Sequence, residues 1–87
     1  MSYLVRVKES VEKAIRKLDR PSRRRVWAAI GELADDPRRA GCVKMAGERD
    51  LWRRRVGDYR IVYQIYNAEL VVLIVRVGHR REVYRDL

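Results

Sequence analysis

Cysteine and histidine are nearly missing from this 87-residue chain, with one of each, Cys42 and His79. A lone cysteine cannot close an internal disulfide and fits a reducing cytoplasm. One cysteine and one histidine are also too few for a structural zinc site. No apolar run is long enough to span a bilayer, so no membrane partner is expected. Met1-Ser2 leads directly into an extended segment, so no signal peptide is expected either. There is no glycine-rich phosphate loop, no His-Glu-x-x-His pattern, no pair of acids on a strand and no catalytic-cysteine context. Asp35-Asp36 precede Pro37 and read as a helix end rather than a metal site. Repeats and low-complexity segments are absent. Acids are in short supply, with 12 Asp and Glu against 21 Lys and Arg, a net charge of +9. That imbalance points to a polyanionic partner, either nucleic acid or an acidic protein. The length suits one domain over residues 1–87, without room for a second core.

The patterning predicts an α+β domain: an N-terminal strand, an antiparallel helix pair, then three mostly antiparallel strands. Tyr3-Leu4-Val5-Arg6-Val7 reads as the first strand. Ser10 is a candidate helix cap. Val11, Ala14, Ile15 and Leu18 then recur on one helical face, with Lys8, Lys13, Arg16 and Lys17 off it. Arg20-Pro21-Ser22 breaks the pattern. A second helix follows with Val26, Trp27, Ile30, Leu33 and Ala34 on one side, stopping before Pro37. Residues 37–50 read mostly as loop. Asn67-Ala68-Glu69 is a turn, and Leu70 to Val77 is apolar on both faces apart from Arg76, as an interior strand would be.

Between these lies the stretch that organises the chain, Leu51 to Tyr66. Two alternating runs flank Gly57-Asp58, a pair suited to a tight hairpin with glycine first. Folding about that turn sets Val56 opposite Tyr59, Arg55 opposite Arg60, Arg54 opposite Ile61, Arg53 opposite Val62 and Trp52 opposite Tyr63. Side chains alternate along a strand. One face then carries Trp52, Val56, Tyr59, Ile61, Tyr63 and Ile65, with Arg54 as the exception. The other carries Arg53, Arg55, Arg60, Val62 and Gln64. Opposed like charges destabilise a sheet, so three arginines converging on one hairpin face suit a bound polyanion. Arginines, a tyrosine and a histidine suffice for metal-free RNA cleavage, in which the 2′-hydroxyl attacks its own phosphate. They equally suit passive RNA binding.

The run Gly57-Asp58-Tyr59-Arg60-Ile61-Val62-Tyr63 and the tail Val77-Gly78-His79-Arg80-Arg81-Glu82-Val83-Tyr84 resemble the RelE branch of the RelE/ParE toxin superfamily. The helix pair ending in Asp36-Pro37 and the later Lys44-Met45-Ala46-Gly47 fit the same pattern, so the likeness covers nearly the whole chain. The resemblance implies a small RelE-like fold and the toxin of a type II toxin–antitoxin pair. It further implies a cytoplasmic, ribosome-dependent endoribonuclease that uses no cofactor and cuts mRNA in the ribosomal A site. Its partners would be a cognate acidic antitoxin that wraps around it, and the ribosome with its mRNA and 16S rRNA.

Residue by residue, Arg60 matches the arginine that contacts the scissile phosphate. Arg80 matches a second catalytic arginine. Tyr84 matches the C-terminal tyrosine that stacks on a base and assists 2′-hydroxyl activation. Arg53 and Arg55 stand where well-known members carry lysines. Arginine stays protonated, so their expected role is charge stabilisation rather than proton transfer. His79 is a possible helper, being of the residue type that changes charge near neutral pH. Lys44, Arg54 and Arg81 are expected to bind RNA. Trp27 and Trp52 are expected in the core or facing a partner. The three residues after Tyr84 leave the C-terminal helix of some members missing or very short. Two other classes stay open: a ParE-like DNA gyrase poison, and a non-catalytic, degenerate RNA-binding or repressor module.

Overall fold

Apolar residues at helical spacing on two segments and at alternating positions on the strands bury against one another as two layers. The computed structural model describes residues 2–47 and 50–84. The elements are β1 (Leu4–Val7), α1 (Glu9–Arg16), α2 (Arg20–Asp35), β2 (Cys42–Lys44), β3 (Leu51–Val56), β4 (Tyr59–Tyr66) and β5 (Val71–His79). The strands form one sheet in the order β1-β5-β4-β3-β2, antiparallel except where β1 meets β5. Among the described residues no helix is long and apolar enough to cross a membrane.

The helices cover one sheet face. Val11 and Ile15 of α1, and Val26, Ala29, Ile30 and Leu33 of α2, pack on Ile61, Tyr63, Val72, Ile74 and Val77. Acids in the first turn of α1 and bases in its last complement the helix dipole. Ser10 does not cap it. The cap is Lys8, whose backbone carbonyl accepts from Val11 and Glu12, so the helix starts before the serine. α2 starts at the Arg-Pro-Ser break: Asp19 accepts from the Ser22 amide at 3.3 Å, and Pro21 sits in the first turn. It ends at Asp35, ahead of Pro37. Trp27 leaves the expected core stripe and is 41% exposed, because the stripe centres on Val26, Ala29, Ile30 and Leu33 and residue 27 stands about 100° from it.

The hairpin register is the expected one at all five pairs from Val56–Tyr59 to Trp52–Tyr63. Gly57 adopts φ +59 while Asp58 keeps a negative φ, as a turn with glycine first requires. Two features correct the sequence reading. Cys42–Lys44, read as loop, is a fifth strand on the edge, pairing with Trp52 to Arg54. A bulge in β5 puts Val62 opposite Arg76 but Tyr63 opposite Ile74, with Val75 the extra residue. The slip sends Val77, rather than Arg76, into the helix-side core. Tyr63 is fully buried and donates its hydroxyl to the Pro37 carbonyl at 2.6 Å. Burial pushes the pKa of that hydroxyl well above the usual tyrosine value. The expectation about a C-terminal helix falls on residues 85–87, outside the described residues.

Candidate functional site

The other sheet face carries only a small apolar cluster of Leu51, Val62 and Val83, with Met45 and Val75 against it. Beside this cluster the sheet register aligns Arg55, Arg60 and Gly78 in one row and Arg53, Val62 and Arg76 in the next. Val83 anchors the tail. It is 1% exposed and lies over Gly78, where an added Cβ would stand 3.6 Å from its own Cβ. The His79 carbonyl accepts from the Glu82 and Val83 amides at 2.8 and 2.9 Å, and the Arg80 amide donates to the Asp58 carbonyl at 2.8 Å. Those bonds hold the tail against the hairpin turn, which brings Arg80, Arg81 and Tyr84 over the arginine row.

The result is a cleft of about 730 Å³. Arg53, Arg60, Arg80, Arg81 and Tyr84 line it, and β2 with the residues after it closes the side through Val43, Lys44, Met45 and Ala46. Arg60 is 6% exposed, the one buried charged side chain among the described residues. Its Nη1 donates to the Gly57 and Tyr59 carbonyls at 3.1 and 3.0 Å. A guanidinium has five N–H donors, so most of its capacity remains. Among the described residues none of the four arginines pairs with a carboxylate; Lys44 pairs with Asp50 at 3.0 Å. A buried cation without a counter-ion is costly, and an anion in the cleft offsets that cost.

The expected site residues divide. Arg53, Arg60, Arg80, Arg81, Tyr84 and Lys44 come together. Arg55 is opposite Arg60 in register but is exposed at the rim, outside the cleft lining. Arg54, expected on RNA, lies on the helix side. Its Nη1 donates to the Ala29 carbonyl at 3.1 Å and its Nη2 to Glu32 Oε1 at 2.7 Å. The second oxygen of Glu32 takes Arg39 at 2.8 Å. The Arg54 hydrogen bond, with its charge, holds the Glu32 carboxyl below the usual glutamate range. His79 does not line the cleft. Its ring meets Tyr59 edge-on at 6.1 Å, and its Nδ1 accepts from the Arg81 amide at 3.3 Å. It therefore shapes the turn that carries Arg80 and Arg81. Sequence reasoning missed Val43, Met45 and Ala46, which lay in the presumed loop. It also missed Val83, whose signal was a single apolar residue in a charged tail.

Chemically, the arginines bind and stabilise anionic charge but accept no proton. Tyr84 and Lys44 are the lining side chains able to move one. A model of the family described as ParE toxin of type II toxin–antitoxin system, parDE, matches residues 5–84. The chain belongs to the RelE/ParE toxin superfamily. It is 33% identical over 90 residues to the toxin RelG of Mycobacterium tuberculosis, covering 98% of this chain and 99% of that protein. It is 31% identical to the mRNA interferase toxin RelE of Escherichia coli K12, covering 99% and 94%. The fold matches RelE in the archaeal RelE–RelB complex from Pyrococcus horikoshii with a TM-score of 0.82 at 30% identity, covering 95% and 100%. It matches the toxin–antitoxin complex RelBE2 from Mycobacterium tuberculosis at 0.81 and 29%, covering 92% and 100%. Within the superfamily this is a RelE-type toxin of a type II toxin–antitoxin system.

Proposed function

We propose that this toxin is a ribosome-dependent endoribonuclease, acting in the cytoplasm, that cuts mRNA in the ribosomal A site without a metal ion. The observation that carries the reading is the convergence of Arg53, Arg60, Arg80 and Arg81 with Tyr84 on one cleft whose arginines have no carboxylate partner among the described residues. The 2′-oxygen forms a bond to phosphorus as the bond to the 5′-oxygen breaks. One fragment keeps a 2′,3′-cyclic phosphate and the other a 5′-hydroxyl. The guanidiniums hold the non-bridging oxygens and stabilise the charge that grows on them. The Tyr84 hydroxyl takes the 2′ proton as it gives its own to water, and its ring stacks on a base. The leaving 5′-oxygen takes its proton from Lys44 or water. An open cleft with so few proton-moving groups needs its substrate held in place, which the ribosome does. Relatives named mRNA interferases support the chemistry. Neighbours solved as complexes with RelB support an antitoxin partner, and the excess positive charge suits an acidic one.

Primer extension on mRNA from expressing cells tests the reading, with cuts expected at codons inside reading frames. Translation arrest with intact mRNA would sink it. DNA damage with intact mRNA would favour gyrase poisoning instead.

A further inference from the structure

The helix layer carries a second cationic surface that the cleft does not use. α2 opens with Arg20-Pro21-Ser22-Arg23-Arg24-Arg25 and has no acid in its first turn. Positive charge there opposes the helix dipole, whose N-terminal end favours anions. Arg20 also stands three and four residues from Arg23 and Arg24, a like-charge spacing that weakens a helix. Among the described residues none of these three pairs with a carboxylate, and the neighbouring Asp19 is occupied in capping the helix.

Trp27 continues the stripe, three residues from Arg24, four from Arg23 and seven from Arg20, and is 41% exposed. Gly31 follows one turn later. It is exposed, lies outside the positive-φ region, and an added Cβ would meet nothing within 4 Å. Neither backbone nor packing therefore requires glycine, and glycine inside a helix weakens it. What the missing side chain leaves is open space beside an exposed indole. Helical side chains lean toward the N-terminus, which sets the indole beside the arginines and leaves its other flank uncovered.

We propose that Arg20, Arg23, Arg24 and Trp27 form a second RNA-binding surface, in which the arginines hold phosphates of a single strand and an unpaired base stacks on Trp27 above Gly31. Arginine and one flat aromatic are what sequence-tolerant single-strand binding uses. A docked protein helix would need a run of apolar anchors in a groove. Here the exposed neighbours are arginines, Ala28 and Gly31, and none of Arg20, Arg23, Arg24 and Trp27 lines the cleft or the two smaller cavities, one of which reaches Ser22 and Arg25 of the same helix. The surface is on the helix layer, across the sheet from the cleft, and does not depend on what the cleft cuts.

The test uses a labelled 2′-O-methyl oligonucleotide, which cannot be cut through its 2′ position. The oligonucleotide should quench tryptophan emission in the wild type and lose most of that quenching in Trp27→Phe. Trp27→Ala should weaken binding by about fivefold to a hundredfold, the range for one stacked base. Arg20→Gln with Arg24→Gln should lower the salt slope of binding by about 1.4, at about 0.7 per phosphate. Gly31→Leu, which favours the helix, should weaken binding with circular dichroism unchanged. Arg60→Ala should leave the midpoint of the Trp27 signal where it was, so failure of the cleft chemistry and failure of this surface read out separately. Unchanged affinity in Trp27→Ala would overturn the proposal. So would equal quenching by polyglutamate, which would make the surface one for acidic protein.

Discussion

Arg53 and Arg54 are neighbours on one strand and have opposite fates. Arg54 turns under the helix layer and finds Glu32 at 2.7 Å and the Ala29 carbonyl at 3.1 Å. Arg53 turns to the open face and finds Arg60, Arg80 and Arg81 around a shared cleft, with no carboxylate among the described residues. The same side chain serves the fold on one face and strains it on the other. Charge alone therefore does not distinguish the two arginines; what distinguishes Arg53 is that it lines a cleft shared with other arginines and has no carboxylate partner among the described residues.

That contrast yields graded expectations. The largest effect is on chemistry. Arg60→Ala should slow single-turnover cleavage of ribosome-bound mRNA by about 10²–10³, the usual loss for one charge-stabilising donor. Arg60→Met loses the bonds to the Gly57 and Tyr59 carbonyls but also removes an uncompensated buried charge and leaves no carboxylate behind, so the melting midpoint should change little. Next, Tyr84→Phe should slow cleavage by about 10², the lower end for acid–base help. Ribosome affinity in a binding assay should stay near wild type, because the stacking ring remains. Arg54→Met should do the reverse of Arg60→Met. Losing the bond to the Ala29 carbonyl costs about 1 kcal/mol, or about 4–8 °C in a domain this small. The cutting rate of the folded protein should not change. A calorimetric midpoint and a rate on the same sample would check both halves.

The smallest effect depends on pH. The Arg54 hydrogen bond lowers the Glu32 pKa from its ordinary 4.5. A folded-state pKa below the unfolded one gives stability that is complete above the ordinary carboxylate range and is lost as pH falls through the folded value. Glu32→Gln removes the charge at every pH. The midpoint difference between wild type and Glu32→Gln should thus be widest near neutrality and close in acid. A difference that stays constant into acid would mean that the ion pair contributes nothing.

Much of the site was legible because a two-residue Gly-Asp turn permits one register, and register fixes which arginines share a face. Parity placed Arg53, Arg55 and Arg60 on one face; Arg53 and Arg60 line the cleft, and Arg55 stays outside its lining. Arg54 was visible as an exception, but its partner stands 22 residues away on a helix, a separation that alternation does not encode. β2 is three residues long and is a strand only through its pairing with β3. The β5 bulge shifts Val77 and Arg76 between faces, and an unbroken apolar run gives no sign of it. Trp27 fitted a loose helical stripe until the packing of α2 fixed the stripe's centre. His79 sits in the motif by sequence, yet the turn aims its Nδ1 at a backbone amide.

The central claim is that the unpaired arginines act on phosphate while the paired one holds the fold. Single-turnover cleavage of mRNA on programmed ribosomes, compared between Arg60→Met and Arg54→Met at a temperature where both are folded, tests it most directly. The account predicts a rate lower by about two orders of magnitude for Arg60→Met and a wild-type rate for Arg54→Met. Equal rates for the two variants, or a loss confined to Arg54→Met, would contradict it.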